Sequence, residues 1–162
     1  MAAEGGERLL VSRIEDGTVV DHIPDWKAET VAKILRLDNL ARVQEDVSVA
    51  ILQNVASRRL GRKDILKIDR WHVDENDADI VCLIFPTITV NYIDDGGVSK
   101  YEPRVPDEIE GRIRCPELSC ISNAEREPLV SKFTTLKKDQ MLQCRYCDTL
   151  VEFGSVPEHV RT

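Results

Sequence analysis

Four cysteines near the C-terminus constrain the fold of this chain more than any other feature. Cys115 and Cys120 form a C-x4-C pair, Cys144 and Cys147 form a C-x2-C pair, and 23 residues separate the two pairs. A tetrahedral zinc site needs two such short-spaced pairs, which a folded hairpin brings together. Four thiolates leave no coordination position for water or substrate, so the pattern predicts one structural Zn²⁺ per chain and not a catalytic one.

The segment that carries these cysteines is too short to be stable through its hydrophobic core alone. Pro103, Pro106 and the charged run 107–110 indicate a boundary before it. We therefore expect a first domain over residues 8–103 and a small β zinc-ribbon-like domain over residues 104–162. In the second domain, the free energy of zinc binding becomes free energy of folding.

Disulfide bonds or a redox pair are the alternatives for these thiols. The segment from Met1 to Arg13 does not resemble an export signal, which predicts a cytoplasmic protein with reduced cysteines. A thioredoxin-like pair would follow a strand of a larger α/β domain, which the C-terminal region lacks. The fifth cysteine, Cys82, lies on an apolar helical stripe and is expected to be a buried, inert thiol.

The charge of the chain disfavours polyanionic partners. Its formal net charge is −7, which opposes binding to nucleic acid or to an anionic membrane surface. Residues 104–162 carry nine basic and ten acidic side chains and few aromatic ones, whereas nucleic-acid binding favours a basic face with exposed aromatics. No apolar run approaches the ~18–20 residues that span a bilayer. We expect the zinc domain to dock on a protein, with no nucleic-acid and no membrane partner.

The first domain alternates short strands with two helices. One helix is predicted from Pro24 to about Asn39, and a second begins at an Asp74 N-cap and ends at Pro86. Strand-like segments, the last two joined by a hairpin turn, are predicted at 8–14, 18–23, 47–55, 64–69, 88–93 and 98–101. This order predicts an α+β fold, a ferredoxin-like mixed sheet with two helices on one face.

Polar side chains interrupt the otherwise apolar strands of this domain: Asp21, His22, Lys67, Asn91 and Lys100. A carboxylate suits ribose hydroxyls, whereas lysine and histidine suit phosphate oxygens. The residues alone leave another interpretation open, in which His22 ends a strand at the surface and the lysines are simply solvated.

Several stretches of the chain occur, in this order and spacing, in one known family: Gly17–Pro24, Gly61–Ile68, Phe85–Asn91, Cys115–Ser122 and Cys144–Cys147. Together they resemble the regulatory chains of aspartate carbamoyltransferase. The resemblance implies a non-catalytic allosteric subunit whose N-terminal domains pair as a regulatory homodimer. It also implies that the zinc domain docks on the catalytic chain of aspartate carbamoyltransferase.

The resemblance further implies nucleotide effectors, with CTP and ATP competing for one site and UTP able to assist CTP, in feedback control of pyrimidine biosynthesis. Asp21 and Lys67 would meet the ribose and base, and His22 and Lys100 the triphosphate. The base pocket and its apolar walls would be formed by Val11, Arg13, Ile14, Val19 and Val98.

Two other classes of function stay open from the residues alone. A zinc ribbon beside a ferredoxin-like domain can bind RNA, although the acidic surface disfavours it. A freestanding enzyme ranks last, because the sequence contains no recognisable nucleophile–base pair, acid/base pair of carboxylates or open metal site.

Overall fold

The computed structural model describes residues 12–161, which contain two antiparallel sheets, one following the other along the chain. The elements around the first sheet are β1 (Gly17–Pro24), α1 (Ala28–Ile34), α2 (Leu37–Val43), β2 (Ser48–Ser57), β3 (Gly61–Asp69), α3 (Glu75–Ile84), β4 (Thr89–Asp94) and β5 (Gly97–Tyr101). The second sheet consists of β6 (Glu108–Glu110), β7 (Lys132–Leu136), β8 (Met141–Cys144) and β9 (Leu150–Glu152), followed by the short helix α4 (Val156–His159).

The first sheet has the strand order β2-β3-β1-β4-β5, and every neighbouring pair is antiparallel. The α+β class is therefore confirmed, but the expectation of a mixed sheet is wrong. After the crossover through α1 and α2, β2 lies two positions from β1 in the sheet, and β3, which follows β2 in a hairpin, lies between them. Because β3 runs opposite to both, no parallel pair arises, as in a split β-α-β arrangement.

The first predicted helix is in fact two helices, α1 and α2, with a break at Arg36. Arg36 has the left-handed φ of 55°, and Ile34, Leu35 and Leu37 around it are all buried. Residues two positions apart cannot share one face of a straight helix. The break turns the chain so that both leucines reach the core, a result that a single apolar stripe does not predict.

The second helix and five of the six predicted strands agree with the sequence patterns. The Asp74 side chain accepts a hydrogen bond from the Asn76 N–H at 2.8 Å and caps α3 as expected. Cys82 is buried, also as expected. Residues 12–14 are not in a strand, and the remainder of the segment predicted over 8–14 lies outside the described residues.

The second sheet has the order β6-β7-β8-β9 and surrounds a small core of Phe133, Leu142 and Ile113, all fully buried. The main chain entering this region and the main chain leaving it lie side by side. Ile113 forms a β-bridge with Val160, and the Arg161 N–H donates to the Arg112 carbonyl at 2.9 Å. In the part of the chain that the structure describes, no helix has the length and apolarity needed to cross a membrane.

Candidate functional site

The four cysteines predicted to bind zinc meet at one point beside the second sheet. Their sulfur atoms all lie within 4.8 Å of one another. The Sγ–Sγ distance is 3.6 Å between Cys115 and Cys147 and 3.8 Å between Cys120 and Cys144. Zinc–sulfur bonds of about 2.3 Å in a tetrahedron place the sulfurs about 3.8 Å apart. The donor set therefore fits one structural zinc ion.

Backbone amides point at three of these sulfurs. The N–H of Glu117 acts to lower the pKa of the Cys115 thiol, those of Tyr146 and Cys147 the pKa of Cys144, and that of Thr149 the pKa of Cys147. In each case the donor is two or three residues after the thiol that it contacts. These tight turns stabilise negative charge on sulfur, as thiolate ligands of a metal require.

The thiols differ in how readily they ionise without a cation. Burial raises the pKa of the Cys115 and Cys144 thiols. By contrast, the Thr149 hydroxyl, 3.1 Å from the Cys147 sulfur, lowers the pKa of that thiol to about 7. A buried thiol with a raised pKa becomes a thiolate when a divalent cation compensates the charge.

Asn123 supports the first cysteine turn and was not singled out from the sequence. Its Nδ2 donates to the Cys115 carbonyl at 2.9 Å and to the Glu117 carbonyl at 2.8 Å. The contact fixes the loop between Cys115 and Cys120, which is two residues longer than the Cys144–Cys147 turn. A side chain that holds a loop in this way leaves no spacing pattern from which it could be predicted.

The structure brings residues predicted to bind nucleotide into one row across the first sheet. Lys67 on β3 pairs with Val19 on β1, Val19 with Asn91 on β4, and Asn91 with Lys100 on β5. The row lies on the face away from the helices, because the alternate residues Val20, Leu66 and Val90 are buried in the core. Side chains in register on adjacent strands lie about 5 Å apart, so the row forms one strip in which the apolar Val19 separates Lys67 from Asn91 and Lys100.

One end of this strip opens into a small cavity of about 200 Å³. Arg13, Ile14 and Lys67, three of the predicted residues, line it. The other lining residues were missed by the sequence analysis. They are Ser12 before β1, Ser48, Val49 and Ala50 at the start of β2, and Asp69 at the end of β3. The β2 residues could be found only through the pairing of Ala50 with Lys67.

Asp21 and His22 lie in a bulge at the end of β1, where the pairing with β3 shifts between Val20 and Ile23. The Asp21 carboxylate contacts Lys63 Nζ at 2.8 Å and accepts the His22 N–H at 2.6 Å. His22 has a left-handed φ of 56°, and its Nδ1 lies 2.9 Å from the Thr89 hydroxyl. Both side chains are thus held by neighbours, and Lys63 is an addition to the predicted set.

The remaining predicted residues lie towards the other edge of the sheet. Lys100 is exposed on β5, where its Nζ is 3.2 Å from Glu102 Oε1. Val98 is also exposed and pairs with Ile93. Val11 lies outside the described residues.

Two models of known protein families match successive parts of the chain. Residues 9–103 match the allosteric domain of the aspartate carbamoyltransferase regulatory chain, and residues 107–156 match its metal-binding domain. The chain belongs to the aspartate carbamoyltransferase regulatory chain family. The resemblance noted from the sequence is therefore confirmed.

Individual regulatory chains agree with this assignment over nearly their full length. The aspartate carbamoyltransferase regulatory chain of Hyperthermus butylicus is 43% identical over 159 residues, covering 97% of each chain. That of Caldivirga maquilingensis is 39% identical over 159 residues, covering 96% of this chain and 94% of the relative. That of Saccharolobus islandicus is 42% identical over 147 residues, covering 90% and 89%.

As a regulatory chain, the protein is a non-catalytic subunit with an allosteric and a metal-binding domain. The prediction of a structural zinc cofactor is confirmed by the metal-binding family and by the clustered thiols together. The site geometry agrees with a non-catalytic metal, because the four sulfurs are mutually close and three of the four cysteines are buried.

Proposed function

We propose that this regulatory chain binds nucleoside triphosphates, CTP and ATP and with them UTP, on the open face of its first sheet. It transmits feedback control of pyrimidine biosynthesis to a catalytic chain of aspartate carbamoyltransferase in the cytoplasm. The observation that carries the proposal is the in-register strip from Lys67 through Val19 and Asn91 to Lys100. It places two cations and an amide on one face of a chain whose net charge is −7.

The strip suits an elongated anion with an apolar end. The cavity beside Arg13 and Ile14 would take the base, with backbone groups distinguishing amino from keto edges, and Lys67 and Asp21 would bind the ribose. Lys100 and His22 would contact the triphosphate by charge-assisted hydrogen bonds. Val11, Val19 and Val98 would supply apolar contacts. The nucleotide-binding domain would extend over residues 8–103.

The zinc domain, residues 104–162, would dock on the catalytic chain, with Cys115, Cys120, Cys144 and Cys147 as the zinc ligands. Exposed apolar side chains on its cysteine loops support a protein partner. Leu118, between the first two cysteines, is 80% exposed, and Ile121 and Tyr146 are also exposed. Exposed apolar groups beside a rigid metal site are typical of docking surfaces. Zinc would act by fixing the shape of these loops.

A regulatory homodimer would form through the edge of the first sheet. β2 lies at that edge over ten residues and pairs only with β3 within the described chain. Its exposed apolar residue Ile51 lies in the middle of the strand. An unpaired edge of this length is a template for pairing with another strand, and a second copy offers an identical one.

Calorimetric titration with CTP and with ATP tests the nucleotide site. We expect the wild-type chain to bind both, and Lys67→Ala to bind about tenfold more weakly because a charged contact is lost. Arg62→Ala is the matched control, since Arg62 is an exposed residue of the same strand on the opposite face. Absence of binding to the wild-type chain, or equal affinity in Lys67→Ala, would refute the site.

Reconstitution with the catalytic chain tests the docking proposal. The zinc-loaded chain should co-elute with the catalytic chain, and carbamoyl aspartate formation should change when CTP or ATP is added. After zinc removal the complex should not form, because the cysteine loops lose their common anchor. A complex that forms equally well without zinc would contradict the proposed docking face.

A further inference from the structure

One carboxylate contacts both the helix layer that covers the first sheet and the segment that leads from the second sheet to the zinc site. Asp77 on α3 receives two guanidinium groups on its two oxygens. Arg112 Nε lies 3.0 Å from Oδ1, and Arg36 Nη2 lies 3.5 Å from Oδ2. Arg36 belongs to the helix layer, whereas Arg112 lies between β6 and the first zinc-binding cysteine. Asp77 therefore links the two domains through a pair of ionic contacts.

Both arginines are attached to fixed main chain. Arg36 occupies the left-handed break between α1 and α2, with the buried Leu35 and Leu37 on either side. Arg112 accepts the backbone hydrogen bond from Arg161 that closes the zinc domain, and the adjacent Ile113 is bridged to Val160. The main chain that carries each guanidinium group is therefore held by the packing or hydrogen bonds of its own domain.

The contacts are partly shielded from water. The exposed fractions of the side chains are 16% for Asp77, 28% for Arg36 and 33% for Arg112. Partial burial strengthens the attraction between opposite charges relative to an open surface. Burial also raises the pKa of the Asp77 carboxyl, while Arg112 and Arg36 oppose that rise. The buried carboxylate thus depends on its two cations.

Arg112 has a second carboxylate within reach. Its Nη2 lies 4.0 Å from Asp74 Oδ2. Asp74 precedes Asp77 by one helical turn and so lies on the same side of α3. A shift of the zinc domain along α3 can move Arg112 from Asp77 towards Asp74 without leaving the guanidinium unpaired. Arg112 contacts both carboxylates in this structure and Asp77 more closely. A second arrangement in which Asp74 is the closer partner would supply the two states that coupling between distant sites requires.

We propose that Asp77 is the coupling residue between the two domains, holding Arg112 in one arrangement and releasing it to Asp74 in the other. Nucleotide binding would bias the arrangement through the helix layer that contains Arg36. This inference rests on the proposed function for the effector, while the ionic link itself is a property of the chain alone. Asp77 acts here as a positioning residue and does not contact the nucleotide.

Hydrogen exchange on the zinc-loaded chain, with and without CTP, tests the proposal. In the wild type, CTP should change the exchange rates of residues 112–114 and 141–152. Asp77→Asn should keep its CTP affinity within about twofold. In this variant CTP should lose most of its effect on those exchange rates, since coupling between two sites is typically about fivefold or more where it operates. Glu75→Gln, which neutralises an exposed acid of the same helix, is the control and should behave as wild type. Retention of the full CTP effect in Asp77→Asn overturns the inference.

A second measurement needs no nucleotide. Thermal unfolding can be followed by circular dichroism for the whole chain and by a zinc indicator for the metal domain. The two transitions should lie further apart in Asp77→Asn and in Arg112→Gln than in the wild type, and the double variant should match the single ones. Unchanged separation in both single variants overturns the inference. A wild type that binds no CTP refutes the nucleotide site, and this unfolding result still decides the role of Asp77.

Discussion

Lys63 and Asp21 form an ion pair across β3 and β1, with Nζ and Oδ1 2.8 Å apart and both side chains about four-fifths buried. Asp21 is a proposed ribose ligand, and the pair fixes the direction in which its carboxylate points. Lys63 lies four residues before Lys67 on the same strand and on the same face. The pair therefore connects two neighbouring parts of the proposed nucleotide site.

We predict that Lys63→Met weakens CTP binding by about tenfold, equivalent to about 1.4 kcal/mol. The variant retains an apolar stem but leaves the Asp21 charge uncompensated near the incoming phosphates. Calorimetric titration measures the change, and Arg62→Met is the control on the neighbouring, exposed position. Equal CTP affinity in the two variants would show that Lys63 has no part in the site.

A second prediction concerns Asp64, which is fully buried and accepts three backbone N–H groups. The N–H groups of Lys27 and Ala28, at the start of α1, lie 2.8 and 2.9 Å from Asp64 Oδ2. The N–H group of Asn54, in the bulge of β2, lies 2.9 Å from Asp64 Oδ1. Asp64→Ala leaves these donors without an acceptor, so the free energy of unfolding should fall by about 3 kcal/mol or more. Urea denaturation measures it. Asp46→Ala, at an exposed position, should change it by less than about 0.5 kcal/mol.

Removal of one zinc ligand should abolish metal binding. Cys144→Ser is expected to reduce bound zinc from one equivalent per chain to nearly none, because three thiolates leave the tetrahedral site incomplete. Mass spectrometry of the metal content after dialysis measures the occupancy. Cys82→Ser is the matched control, since Cys82 is buried under the first sheet, where it contacts the Pro103 carbonyl. A zinc content that falls equally in both variants would contradict the assignment of ligands.

Gly17, at the start of β1, approaches β3 too closely for a side chain. A Cβ there would lie 2.1 Å from the Ile68 carbonyl oxygen, and its φ of 150° is one that other residues rarely adopt. We predict that Gly17→Ala lowers the free energy of unfolding by about 2 kcal/mol or more. In Gly154→Ala, the added methyl group meets no atom within 4 Å, and thermal denaturation should show a much smaller change.

The sequence predicts those features of the fold that depend on nearby residues. The Asp74 cap, the hairpin at 94–97 and the cysteine turns each follow from a few adjacent side chains, and the structure contains all three. The break at Arg36 does not follow, because it arises where the burial of Leu35 and Leu37 outweighs the continuity of one helix. Tertiary packing, which no local pattern contains, decides that position.

The same distinction applies to the proposed nucleotide site. Residue type indicated Asp21, Lys67 and Lys100, but only the strand register shows that Lys67 and Lys100 belong to one row with Asn91 between them. The cavity residues of β2 and the ion pair of Lys63 come from pairings between segments far apart in sequence. Register is a property of the whole sheet, so these members of the site could not be predicted from the sequence.

The adjacency of Arg112 and Arg161 has a consequence for engineering. The zinc domain's main chain between β6 and Cys115 lies beside its C-terminal end, with the Arg114 N–H also donating to the His159 carbonyl at 2.7 Å. A few glycine and serine residues could therefore join its two ends, and new termini could be opened in the exposed turn at 137–140. A circularly permuted zinc domain of this kind should retain the metal site, which would allow its docking face to be presented on other scaffolds.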